Sequence, residues 1–293
     1  SVAMDFPPDD RIGRDFRIVS TQEMHQVMFD HEFYDEFYLK SSGMPDLLRK
    51  TQYGLEIHLA DGPGAPGGEA HVDQLLQVAA EIGLTLDSPI RSPQGPCTIR
   101  DVIVHSMMHF SIHQELEFSA TAYSRFLPPF RTWTNRFGQT FDFDQLVAAL
   151  ASRDRGTGCC YGAHVPYALI NIVRADQVQP ILGEQSRLAL KRYFVDVSNR
   201  LEEMQSSEGW WDEDWGDAPP PDDRDSPLQR RLRTTGHQLE WMALAPAGLR
   251  PSDAALSRAA NYLAGQLAEM PLSHSQVFYP PLTHSVRSLL LLK

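Results

Sequence analysis

The residues able to carry proton or metal chemistry fall in a few short strings. Thr235-Gly236-His237-Gln238-Leu239-Glu240-Trp241 sets an imidazole and a carboxylate three positions apart. On a helix that spacing puts both on one face. There the carboxylate can hold the ring's tautomer, and the imidazole, which titrates near neutrality, can give or take a proton. Ala163-His164-Val165-Pro166-Tyr167-Ala168-Leu169 and Thr283-His284-Ser285-Val286-Arg287-Ser288-Leu289 each put a further His at the expected start of a helix. His237 and His284 are the expected acid/base pair, with Glu240 the orienting carboxylate and His164 a third catalytic candidate. Arg287, Glu117, Trp211 and Tyr161 are the expected substrate contacts.

A second string, Gly158-Cys159-Cys160-Tyr161-Gly162-Ala163-His164, combines thiols with an imidazole. Cys159, Cys160 and His164 are donors that suit Zn²⁺. The competing reading is a tight packing point before a helix, and no other cofactor is expected. His105, His109 and His113 recur every fourth residue, which predicts one helix stripe. The string His109-Phe110-Ser111-Ile112-His113 lacks the Glu of a zinc-protease helix, so a half-exposed face is expected. Trp210, Trp211 and Trp215 either line a cavity mouth or cover a hairpin end.

Helices must position these groups. Val72 to Ile82 has the 3.6-residue apolar period, and Gly83 stops it. Thr98 and Asp101 form a capping-box pair. The pattern behind them reaches Leu127, with a break expected around Ser111 to Gln114 and a stop at Pro128-Pro129. Further helices are predicted over Phe143–Ser152, Ala163–Ala175, Leu182–Gln205, Arg231–Leu244, Ser252–Glu269 and from Thr283 onward. Phe33, Tyr34, Phe37 and Tyr38 have helical spacing and read as core. Phe16 to Val19 is the one tempting strand. This is an all-α pattern of antiparallel hairpins. A closed ring of them, an (α/α) toroid, or an incomplete barrel would set the His and Glu side chains around a central cavity.

Three resemblances bear on that architecture. Gln205-Ser206-Ser207-Glu208-Gly209-Trp210 resembles the Q-x3-G-x-W end of the repeat in squalene and related triterpene cyclases, which implies a toroid; prenyltransferase-like folds share that shape. Asp212-Glu213-Asp214-Trp215 lacks the last Asp of the cyclases' acid motif. The segment around His237 resembles the G-H-x-x-E-W string of the N-acylglucosamine 2-epimerase and aldose–ketose isomerase superfamily. It implies histidines that exchange protons at carbon. The string around Cys160 resembles the zinc-binding W-C-x-G segment of lanthionine cyclases, although no Cys follows Cys160 to complete their ligand set.

Composition narrows the partners. The net charge of −12 repels phosphate backbones, so nucleic acid is not expected. No apolar run is long enough to insert in a membrane. The N-terminus carries neither a basic n-region nor an apolar h-region, so a cytoplasmic protein is expected if Met4 is the natural start. Three cysteines do not make a disulfide framework. One helical domain is expected over 44–293, with 1–43 an extension packed on it. The function expected is an isomerase or epimerase acting on a sugar or similar small polar molecule bound in the central cavity. Two alternatives stay open: a terpenoid cyclase-like protein with an apolar ligand, and a non-catalytic toroid that binds a ligand or partner. The sequence does not fix the oligomeric state.

Overall fold

Capping chemistry sets several helix boundaries in the computed structural model, which describes residues 21–37, 45–60, 68–217, 225–270 and 279–293. Thr98 and Asp101 form the expected capping box, with the Thr98 amide donating to Asp101 Oδ2 at 2.7 Å, and α4 (Ile99–His109) follows. Ser226 and Gln229 do the same for α9 (Pro227–Leu244), where Pro227 takes the first helical position. Ser252 accepts from the Ala255 amide and starts α10 (Asp253–Glu269). Thr283 is not a cap, however: α11 (Tyr279–Leu291) has already begun there. Its Pro280 and Pro281 fall in the first turn, where a missing N–H leaves no helical bond unmade.

The described chain resolves into two compact units. Unit 1 runs to Leu146 and takes in Ala175–Ile181, while unit 2 comprises Val147–Arg174 and Leu182–Lys293. The chain passes between them within α6 (Phe143–Ala151) and α7 (His164–Val178).

Unit 1 combines α1 (Thr21–Phe29), α2 (His31–Phe37), α3 (Gln74–Glu81), α4 and α5 (Glu117–Phe126) with three antiparallel hairpins. These are β1 (Leu48–Thr51) with β2 (Gly54–Ile57), β3 (Pro89–Ser92) with β4 (Gly95–Thr98), and β5 (Thr132–Thr134) with β6 (Thr140–Asp142). The protein is therefore mostly α, with small hairpins that the all-α expectation did not include. Strands this short show no usable alternation. The candidate strand at Phe16 to Val19 and the candidate core residue Tyr38 lie outside the described residues. Of the α2 aromatics only Tyr34 is buried; Phe33 and Phe37 are 40% and 39% exposed, contrary to the core reading.

The break between α4 and α5 comes where expected. Phe110 leaves helical geometry and packs against Tyr123, Trp133 and Phe141. That burial takes His113 off the anticipated histidine stripe and leaves it exposed in the turn. The His105 and His109 rings remain in contact, tilted by 35° with centroids 4.1 Å apart, and Arg136 donates to His109 Nε2 at 2.9 Å.

Unit 2 is built on α9. Every residue from Thr234 to Met242 is buried, and a helix buried all round is one that neighbours surround. Helices α10 and α11 pack on it and on each other. At the end of α8 (Glu184–Met204), the Gln205 amide donates to Gly209 O and Ala255 O, each at 2.9 Å, tying that turn to α10. Gly209 has a φ of 100°, which favours glycine. Trp211 donates its indole N–H to Leu201 O at 2.8 Å and is fully buried. No helix among the described residues is long and apolar enough to cross a membrane.

Candidate functional site

Three histidines meet within unit 2, each on a different helix: His164 on α7, His237 on α9 and His284 on α11. Their ring centroids lie 3.6 Å apart for His237 and His284, 4.5 Å for His164 and His237, and 6.3 Å for His164 and His284. Only His164 starts its helix; His237 sits deep within α9 and His284 one turn into α11. They meet because α9 and α11 touch backbone to backbone. A Cβ on Gly236 would lie 2.9 Å from His284 C and Ser285 N, so only glycine allows this approach.

Glu240 ties the cluster together. His237 Nδ1 donates to its Oε2 at 3.1 Å, as the three-residue spacing predicts, and His284 Nδ1 donates to its Oε1 at 3.1 Å. Arg287 donates through Nη1 to Oε1 at 3.3 Å, and through Nη2 to the Tyr167 hydroxyl at 2.6 Å. The His237 and Glu240 side chains are 2% exposed, whereas His284 is 26% and Arg287 34% exposed. The more exposed side of the cluster is therefore on α11, and its buried floor is on α9.

Cys160 reaches the floor through an unusual backbone. Cys160 and Tyr161 have φ values of 49° and 57°, a left-handed pair that side chains with a Cβ rarely adopt. The Trp215 indole holds the loop by donating to Tyr161 O at 2.9 Å. The Cys159 thiol lies 3.6 Å from Cys160 Sγ, and both His164 and His237 come within hydrogen-bonding reach of that sulphur.

These contacts set the charges. Donation from Cys159 is the main cause that holds the Cys160 thiol well below its usual range; burial opposes this, and His237 and His164 assist. Burial works against a charged His237, but Cys160 and Glu240 outweigh it and raise the ring to about 9. Burial would raise Glu240 as well, yet the two imidazoles keep it well below the ordinary carboxylate range. His284 is lowered by burial and by the charge of His237, against the pull of Glu240. The two packed imidazoles thus differ: His237 favours the charged form and His284 the neutral one.

Within unit 2, two donor groups could hold a metal ion. Cys159, Cys160 and His164 form one and His237, Glu240 and His284 the other, with the donor atoms of each group within 4.8 Å of one another. His237 Nε2 is buried without a hydrogen-bond partner of conventional geometry.

Other candidate residues fall as follows. Tyr161 and Trp211 are in unit 2 but 4% and 0% exposed, with Trp211 held between Thr235 and Leu201. Glu117 is buried at the start of α5 in unit 1. Sequence reasoning missed Tyr167 as a site residue, although its place three positions after His164 carries the same one-face signal that exposed Glu240. It also missed the approach of Cys160 to His237, which no spacing encodes. Comparison with family models, with curated proteins and with solved structures finds no match to this chain.

Proposed function

We propose that unit 2 carries a catalytic site for proton transfer on a small polar molecule, with a sugar isomerase or epimerase as the reaction class. The observation that carries this reading is the buried Glu240 carboxylate, bonded at once by His237, His284 and Arg287. Two neighbouring imidazoles whose surroundings favour opposite protonation states make a natural acid and base. His284 is the more exposed ring, so it meets the substrate and takes the proton. His237 is the charged partner behind it, and Glu240 orients both. Arg287 and the Tyr167 hydroxyl supply the polar contacts on the exposed side.

The imidazoles are in van der Waals contact, so no substrate fits between His237 and His284. Transfer on one face of the substrate, as between neighbouring carbons of an aldose and a ketose, suits this better than attack from two opposite faces. The polar exposed side favours this class over an isoprenoid ligand. Trp211 and Trp215 would be natural walls for an apolar substrate, but both are buried and use their indole N–H groups on backbone carbonyls. An (α/α) toroid fits the placement of the histidines on every second helix, α7, α9 and α11, and the Gln205 clamp between α8 and α10.

The experiment is solvent deuterium exchange, followed by NMR, into a panel of aldoses, ketoses and N-acylamino sugars. The wild type should exchange the proton on the carbon beside the carbonyl of at least one sugar, and His284→Ala should lose that exchange. No exchange across the panel, or exchange that survives the substitution, counts against the proposal.

A further inference from the structure

We propose that Cys159, Cys160, His164 and His237 form a binding site for a thiophilic divalent cation of the zinc class. The two sulphurs are 3.6 Å apart. Two thiolates on one tetrahedral zinc, with bonds of about 2.3 Å, would be separated by about 3.8 Å. Adjacent side chains normally point to different sides of a chain. The left-handed backbone at Cys160 is what turns both thiols to one place. The donor atoms of Cys159, Cys160 and His164 all lie within 4.8 Å of one another, close enough for small side-chain rotations to close them on one ion.

The fourth donor is argued independently. His237 Nε2 is buried and makes no hydrogen bond of conventional geometry, while its ring comes within reach of the Cys160 sulphur and lies 4.5 Å from that of His164. Buried ring nitrogens normally find a partner, and a cation between them would be shared by the two rings. The far side of His237 is also arranged as a metal ligand requires. Its Nδ1 donates to Glu240, and a carboxylate behind a ligating histidine fixes the ring and strengthens its donor nitrogen. Two thiolates and two imidazoles select zinc or cobalt over magnesium or calcium, which take oxygen.

Four protein donors close a tetrahedral site, so the ion would act by position and not by activating water. It would pin the Cys159–Cys160 turn to α7 and α9, holding His237 and Glu240 in place behind His284. A ligating His237 is neutral at Nε2, so metal binding replaces its charged form and leaves His284 with Glu240 as the proton-transfer pair. This inference goes beyond the proton-transfer proposal, since metal uptake is measured without substrate. Either can fail while the other stands.

The test uses the full chain, reduced and stripped with a chelator, then titrated with Co²⁺ as an optical probe. The expected result is one Co²⁺ per chain with a sulphur-to-cobalt charge-transfer band and the intense visible bands of a tetrahedral ion, all displaced by Zn²⁺. Cys160→Ser should abolish the charge-transfer band or weaken binding at least tenfold. Glu240→Gln should weaken binding about 10–100-fold while ligands are kept. Absence of the band in the wild type, or binding unchanged in Cys160→Ser, overturns the proposal. Should the serine variant fail to fold, alkylation of the wild type mapped by mass spectrometry decides it. Zn²⁺ should protect Cys159 and Cys160, and equal labelling with and without Zn²⁺ refutes the site.

Discussion

Replacing Gly236 with Ala probes the contact on which the whole cluster depends. In an open helix the change would stabilise, because Ala exceeds Gly in helix propensity by about 1 kcal/mol. At this position the new Cβ would stand 2.9 Å from two backbone atoms of α11 and 3.2 Å from His284 Cβ. Comfortable contacts between carbon atoms lie at about 3.5–4.0 Å, so α9 and α11 must part by about half an ångström or more. Overpacking of this kind costs about 1–3 kcal/mol. Backbone atoms cannot turn aside as a side-chain end would, so the upper part of that range applies. The net loss after the propensity gain is about 1–2 kcal/mol, a fall in melting temperature of about 2–8 °C. Gly265 on α10 is the internal control, since nothing lies within 4 Å of its added Cβ. Gly265→Ala should raise the melting temperature slightly. The assay is a pair of thermal melts, and a Gly236→Ala protein at least as stable as the wild type would refute the close approach of α9 and α11.

Other outcomes test separate parts of the molecule. His237→Ala leaves the buried Glu240 without one of its donors. It should cost about 1–3 kcal/mol in denaturant unfolding, and a variant as stable as the wild type would mean Glu240 is satisfied without the imidazole. Gln205→Ala removes both amide bonds that tie the end of α8 to Gly209 and α10. With about 0.5–1.5 kcal/mol per bond, it should lower the stability of unit 2 by about 1–3 kcal/mol, and an unchanged melt would show the clamp to be dispensable. In unit 1, burial, aided by the charge of Asp73, raises Glu69 from the ordinary 4.5 to about 8, although backbone amides at the start of α3 pull the other way. A carboxyl whose folded value is raised favours folding when protonated. Its contribution is therefore full below about 4.5 and is lost as the pH rises towards 8. Glu69→Gln should flatten that decline in denaturant titrations at pH 5 and pH 8, and a slope identical to the wild type would contradict the assignment.

What the sequence made legible was local. Thr98 with Asp101, Ser252, and the breaks at Gly83 and Ser111 to Gln114 each depend on neighbours within a turn, and the structure has them. The pairing of His237 with Glu240 is of the same kind. That His164, His237 and His284 meet was expected from their similar places at the starts of every second helix, but only His164 starts its helix. The real cause is Gly236, a contact between chain segments. Other departures share that cause. His113 leaves its stripe because Phe110 is drawn into an aromatic cluster, and Phe33 and Phe37 stay half-exposed because α2 buries only Tyr34. The approach of Cys160 to His237 needs a left-handed turn on two non-glycine residues, for which the string Cys159-Cys160-Tyr161-Gly162 gives no signal beyond its glycine.

The distribution of cost within unit 2 argues that the cluster is there for something other than stability. A buried carboxylate beside a charged imidazole loses its hydration, and well-packed apolar residues of similar size often do as well or better. Left-handed φ at Cys160 and Tyr161 adds strain of about 1–3 kcal/mol each. A ring nitrogen of His237 is buried without a hydrogen bond of conventional geometry. These departures sit within one small cluster, while the surrounding core of Phe194, Leu201, Leu239 and Trp241 follows ordinary packing. A chain selected only to fold would have no reason to concentrate its unfavourable terms where three helices meet. Local rules that are broken together in one place are expected at functional or strained sites, and that is the ground on which both proposals for this cluster rest.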